Sequence, residues 1–144
     1  MNRRLPTSGP SGDLFDAADA LLQVTATPYT PSVILEVLQP PVTFHRVFVD
    51  ITQSILAALM LSHAVMLSET RANANGWFQC SPDEWQAETG LNRFEQQTAR
   101  RTLTRLGLLL EMKHSQPSAT TYRVDATRLW ERIAEHTAQR GRHR

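Results

Sequence analysis

Cysteine is nearly absent from this chain of 144 residues, where Cys80 stands alone. One thiol excludes an internal disulfide and a thiolate metal cluster, which makes a reducing cytoplasm the expected setting and Cys80 an inert thiol at a strand end. Long apolar runs are missing as well. The most apolar stretch, Ile55 to Leu67, is interrupted by Ser62 and His63 and falls short of the ~20 residues that cross a bilayer, so it reads as a buried helix with no membrane partner. Arg3 and Arg4 precede LPTSGPSGD, where a twin-arginine signal requires an apolar segment of about 7–15 residues. No GxxxxGKS or GxxxxGKT, HExxH, CxxC or GxSxG string occurs, and His45, His63, His114, His136 and His143 lack metal-ligand spacing. Neither an enzyme nor a cofactor is expected. Aromatic residues make up only 7% of the chain, and Trp77, Trp85 and Trp130 fall on apolar faces, which assigns them to a core and not to a stacking platform for single strands. His63, inside an apolar helix, reads as a satisfied core histidine.

Net charge is also small, +1, but it is unevenly spread. Residues 1–90 carry 4 Lys+Arg against 9 Asp+Glu, whereas residues 91–144 carry 11 against 5. Such asymmetry points the second part at a polyanion, an acidic partner protein or the first part itself.

The chain length suits one compact domain with tails. Residues 1–40 read as an N-terminal extension, with a Pro-, Gly- and Ser-rich start over 1–12. A short amphipathic helix follows over Asp13 to Val24, marginal alone and needing its own domain or a homodimer partner to pack on. Ser32 to Leu38, bracketed by prolines, is a short strand or a turn of helix. The domain proper spans 41–139. Thr43 to Ile51 is a lead-in, a core helix runs from Thr52 or Ser54 to about Thr70, and Trp77 to Cys80 is a strand with Trp77 inward. Ser81, Pro82 and Glu84 spell a capping box with proline at the first helical position, and that helix stops at Gly90. Leu108 to Lys113 and Ala119 to Val124 form a hairpin, and Asp125 caps a last helix to about Gln139 with a Leu129, Trp130, Ile133 stripe. Residues 140–144 are a basic tail.

The most informative stretch is NRFEQQTARRTLTRLG, from Asn92 to Gly107. Asn92 and Glu95 form a capping box, and Gly107 supplies a left-handed stop. At 100° per residue, Ala99, Leu103 and Leu106 share a core side, with Glu95 and Thr102 at its edges. Arg93, Gln97, Arg100, Arg101 and Thr104 share the opposite side, bordered by Gln96, with Arg105 nearby. Guanidinium groups pair bidentately with phosphate and guanine, and carboxamides pair with adenine, so this face suits a helix that reads the major groove. A short helix, a glycine turn and a longer basic helix make a helix-turn-helix.

Individual residues extend the pattern. Leu61-Ser62-His63, Trp77-Phe78, Glu84-Trp85, Thr89-Gly90-Leu91, Ala99-Arg100 and Leu106-Gly107 occur in the order seen in the winged-helix domain of phage, plasmid and integrative-element replication proteins, a group that includes DnaD-like domains. From Phe44 to Ile133 the chain resembles that family. Two positions depart from it: a family-typical glycine is Gln53, and the aromatic pair closing the first helix is Met66-Leu67. The resemblance implies a mainly α winged helix-turn-helix with a small β-hairpin, an extra N-terminal segment and a C-terminal helix. It also implies double-stranded DNA as partner, beside a homodimer or replication-protein partner, in the service of a mobile element. Arg93, Gln96, Gln97, Arg100, Arg101, Thr104 and Arg105 are then the helix contacts, and Lys113, His114 and Arg123 bring the wing to the backbone. An adaptor that docks another protein is the alternative, and a nuclease or other enzyme a third reading.

Overall fold

Backbone groups at a helix end have no partner inside the helix, and this sequence supplies one at most of its turns. In the computed structural model, which describes residues 29–116 and 120–144, the chain divides into one unit up to Pro41 and a second from Val42. The described part of the first unit contributes helix α1 (Pro31–Val37), with Pro31 in its first turn and the Thr30 hydroxyl accepting from Val33 N at 3.4 Å. Residues 32–37 are therefore helical, and none of the helix is buried. The tail over 1–12 and the helix expected over Asp13 to Val24 lie outside the described residues.

The second unit runs α2 (Arg46–Thr52), α3 (Ile55–Thr70), β1 (Trp77–Gln79), α4 (Pro82–Thr89), α5 (Arg93–Arg105), β2 (Leu109–Met112), β3 (Thr121–Val124) and α6 (Ala126–Arg142). It is mainly helical, with one antiparallel three-stranded sheet in the order β1-β3-β2. Where a lead-in was expected, α2 is a helix. It ends at Gln53, whose φ of 57° makes it the only non-glycine with positive φ among the described residues. The Gln53 amide nitrogens hold that turn, N donating to Val49 O and Nε2 to Asp50 O, both at 2.7 Å.

The Ser54 hydroxyl accepts from Ala57 N at 3.1 Å and starts α3 as expected. This helix contacts α2, α4, α5, β1 and β3, and its Ala57, Ala58, Met60, Leu61 and Ala64 are fully buried. Alanines on several sides let neighbouring backbones close in, which is how one helix serves as core for so many elements. No helix among the described residues is long and apolar enough to cross a membrane.

In β1 the inward residue is Phe78, 2% exposed, while Trp77 is half-buried, correcting the expected inward Trp77. Side chains alternate along a strand, and the register Phe78↔Tyr122 commits Phe78 to the core face. Trp85 meets expectation: its ring lies 5.6 Å from both His63 and Tyr122, edge on. Trp130 does not, being 70% exposed. On α6, Leu129 and Ile133 lie one turn apart and face the core, so Trp130, about 100° round from Leu129, is turned to solvent. That helix also continues through Arg140 to Arg142, into the stretch read as a tail. His136 of α6 places Nε2 3.3 Å from Asp50 Oδ2 of α2, within ion-pair range but off the axis of a hydrogen bond.

Beyond α5, Gly107 takes φ 72°. Leu108 N reaches back to Leu103 O at 2.9 Å and Gly107 N to Thr104 O at 3.1 Å, the paired bonds of a Schellman turn. Cys80 is buried, and its thiol pKa is pushed up to about 12, first by desolvation, in keeping with an unreactive thiol.

His63 is core but not satisfied. Its Nε2 has no hydrogen-bond partner among the described residues, and burial pushes its pKa below the usual 6.5, opposed by Glu88 and helped by Arg71. The unfolded chain therefore binds the proton more readily than the folded one. Stability contributed by neutral His63 is fully present above about pH 6.5 and is lost as pH falls through the lower folded pKa. Urea midpoints measured from pH 8 to pH 5 should fall below pH 6.5, and His63→Leu should flatten that fall. A second prediction concerns the left-handed turn, where an L residue costs about 1–2 kcal/mol. Gln53 already bears that cost, so Gln53→Gly should be tolerated, whereas Gln53→Val, β-branched and without the Nε2 bond to Asp50 O, should lower the melting temperature, as read by thermal unfolding.

Candidate nucleic-acid interface

Helices α4 and α5 meet through Gly90, Leu91 and Asn92. Ser81 and Glu84 cap α4 reciprocally, and Gly90 at φ 77° lets the chain reverse. The Thr89 hydroxyl donates to Trp85 O and accepts from Leu91 N at 3.2 Å, which ties the turn to the buried end of α4. Asn92 Oδ1 accepts from Glu95 N, and Glu95 Oε2 from Asn92 N, both at 2.9 Å, so the expected capping box of α5 is present.

Ala99 and Leu103 bury one side of α5, with Leu106 half-buried beside them. Gln96 belongs to that side too. It is 2% exposed, and its Nε2 donates to Pro82 O at 3.0 Å and to Leu91 O at 2.8 Å. The expected position of Gln96 at the border of the outer face is thus corrected: the buried Leu91 carbonyl at the helix corner needs a donor, and this carboxamide provides it while also bonding Pro82 O.

Arg100 is also drawn inward. Its Nη1 donates to the Tyr122 hydroxyl at 3.2 Å and its Nε lies 3.7 Å from Glu111 Oε1, with the Arg100 side chain only 26% exposed. Burial pushes the Tyr122 phenol above its usual pKa, opposed by the Arg100 bond, so a neutral phenol joins helix to sheet. The expected sharing of one outer face by Arg100 and Arg101 is corrected accordingly.

Arg93, Gln97, Arg101, Thr104 and Arg105 do share an exposed face. Arg93 Nη2 lies 3.2 Å from Asp83 Oδ1, with both side chains mostly in solvent, a geometry that contributes little. The Thr104 hydroxyl donates to Arg100 O at 2.6 Å and keeps its acceptor lone pairs. The side chains of Gln97, Arg101 and Arg105 make no hydrogen bond or ion pair with other described residues. Phe94, absent from the expected site, stands 76% exposed in the first turn of the same helix. A helical projection could have found it, because it falls between Arg101 and Arg105 on the polar side.

The hairpin closes against one end of this face. Met112↔Thr121 is its outermost pair, and Lys113 and His114 follow, with His114 Nε2 3.4 Å from Thr121 Oγ1. Together with Arg93, Arg100 and Ser115 they line a cleft of about 390 Å³. Arg123 is elsewhere. Paired with Trp77 and Leu110, it lies against Gly76 in a second groove with Trp130, since Tyr122 before it takes the core face. A broad trough of about 770 Å³ lies at the C-terminal end of α6, distant in sequence from both helices of the corner. Among the described residues no three His, Cys, Asp or Glu side chains gather as a metal site.

Comparison of the chain with protein-family models, with curated proteins and with solved structures finds no match.

The two glutamines of α5 should respond differently to loss of their amides. Gln96→Leu strands the buried Leu91 carbonyl and should cost about 1–3 kcal/mol in urea unfolding. Gln97→Leu, on the exposed face, should stay within about 0.5 kcal/mol of the parent.

Proposed function

We propose that this chain is a winged-helix protein that binds double-stranded DNA for a mobile element, in replication, maintenance or transcriptional control. The observation that carries the reading is the division of α5: one side is pinned by Ala99, Leu103, Gln96 and Arg100, while the other presents Arg93, Gln97, Arg101 and Arg105 to solvent. A rigid helix on which the Gln97, Arg101 and Arg105 donors are unengaged suits a major-groove reader. Lys113 and His114 then lie on the wing, beside the start of that helix, where phosphates flank the groove.

The turn at Gln53 adds support of another kind. The family that the sequence resembles has a glycine there, and this position takes the left-handed conformation that glycine favours. Arg100 and Gln96 are assigned to holding the helix, and Arg123 to the opposite groove, so the contact set narrows to Arg93, Gln97, Arg101, Thr104, Arg105, Lys113 and His114.

The adaptor reading keeps one observation in its favour. Trp130 is exposed beside a groove lined by Val65, Leu129 and Ile133, and exposed tryptophans are common anchors of protein interfaces.

Salt separates the two. If about 4–6 phosphates are neutralised, raising salt from ~50 to ~200 mM should weaken duplex binding by roughly 10²–10³. Fluorescence anisotropy with duplexes from the protein's own genomic neighbourhood would measure it. No binding at low salt, or a flat response, would favour the adaptor.

A further inference from the structure

Phe94 is a large apolar side chain in the wrong place for stability. It is 76% exposed, and the core side of α5 is already filled by Gln96, Ala99 and Leu103. Every other exposed side chain on the outer face of this helix is polar: Arg93, Gln97, Thr98, Arg101, Thr104 and Arg105. Phe94 lies one turn from Gln97 and Thr98 and two turns from Arg101 along the same side. Its position in the first turn matters, because the N-terminal residues of a groove-reading helix are those that meet base edges.

We propose that Phe94 reads the 5-methyl group of a thymine. This rests on the DNA reading above and gives it a chemical preference. Of the groups that the major groove displays, the thymine methyl is the apolar one, and phenylalanine is among the side chains that contact it. The phenyl ring has no donor or acceptor, so it adds nothing to phosphate attraction. Its contribution is to cover a methyl that water otherwise surrounds, while Gln97 and Arg101 supply hydrogen bonds beside it. Burying one such carbon is worth about 0.8 kcal/mol, a factor of about four in affinity.

The experiment is a selection from a pool of random duplexes with the full chain, followed by anisotropy on the selected duplex with each thymine replaced in turn by deoxyuridine. That replacement removes a methyl and leaves every hydrogen-bonding group in place. The wild type should lose about fourfold at one thymine. Phe94→Ala should bind thymine and uracil equally at that position, keep the rest of the motif, and unfold at the parent's temperature because the ring is exposed. Equal affinity for thymine and uracil throughout, or a difference that survives in Phe94→Ala, would overturn the role of Phe94 and leave DNA binding intact. Failure to bind any duplex at low salt would overturn both.

Discussion

A single buried carboxamide fixes the corner from which the exposed face of α5 is presented. Gln96 starts one turn into α5, yet it bonds the carbonyls of Pro82, in the first turn of α4, and of Leu91, between the helices. Apolar contacts tolerate sliding, whereas hydrogen bonds weaken steeply with angle, so these two bonds set the relation of the helices more tightly than Trp85 or Leu103 does alone. The outer face of α5 inherits that orientation. A side chain of similar volume without the amide would fill the space and leave the corner unspecified.

From the corner, order passes to the sheet through Arg100. Its guanidinium bonds the Tyr122 hydroxyl and approaches Glu111, while the Tyr122 ring packs edge on to Trp85. Helix, hairpin and aromatic core are therefore joined by one cation. This divides labour among residues of similar chemistry. Arg100 positions the hairpin against the helix, and Arg101, one residue on and about 100° away, is left to solvent. Adjacent arginines on a helix cannot share one environment, because they differ by more than a quarter turn.

Much of the fold was legible because local chemistry encodes it. Ser81 with Glu84, Asn92 with Glu95, and glycines at 90 and 107 announce helix ends through bonds that span three or four residues, and all four ends form where expected. Distant partners are not written so plainly. Gln96 is 14 residues from Pro82, and Arg100 is 22 from Tyr122, so a projection of α5 by itself could only assign both by polarity to the outside. Trp130 failed in the opposite sense: its size suggested core, but Leu129 and Ile133 already satisfy the surface that α6 covers. Phe94 was not placed by the sequence reading, although a projection of α5 puts it among Gln97, Arg101 and Arg105.

Net charge is a poor guide to the local field at the exposed face of α5, for reasons of range. The chain as a whole is +1, and screening limits exposed charges to about 8 Å at physiological ionic strength. Arg101 and Arg105 stand four residues apart, about 6 Å of helical rise, and so reinforce each other within that length. Arg93 differs, since Asp83 lies 3.2 Å away and competes for its guanidinium. Both side chains of that pair are solvated, so a phosphate can displace the carboxylate at small cost. In the proposed reading, attraction of α5 for a polyanion would arise from these few local cations and not from the net charge of the chain.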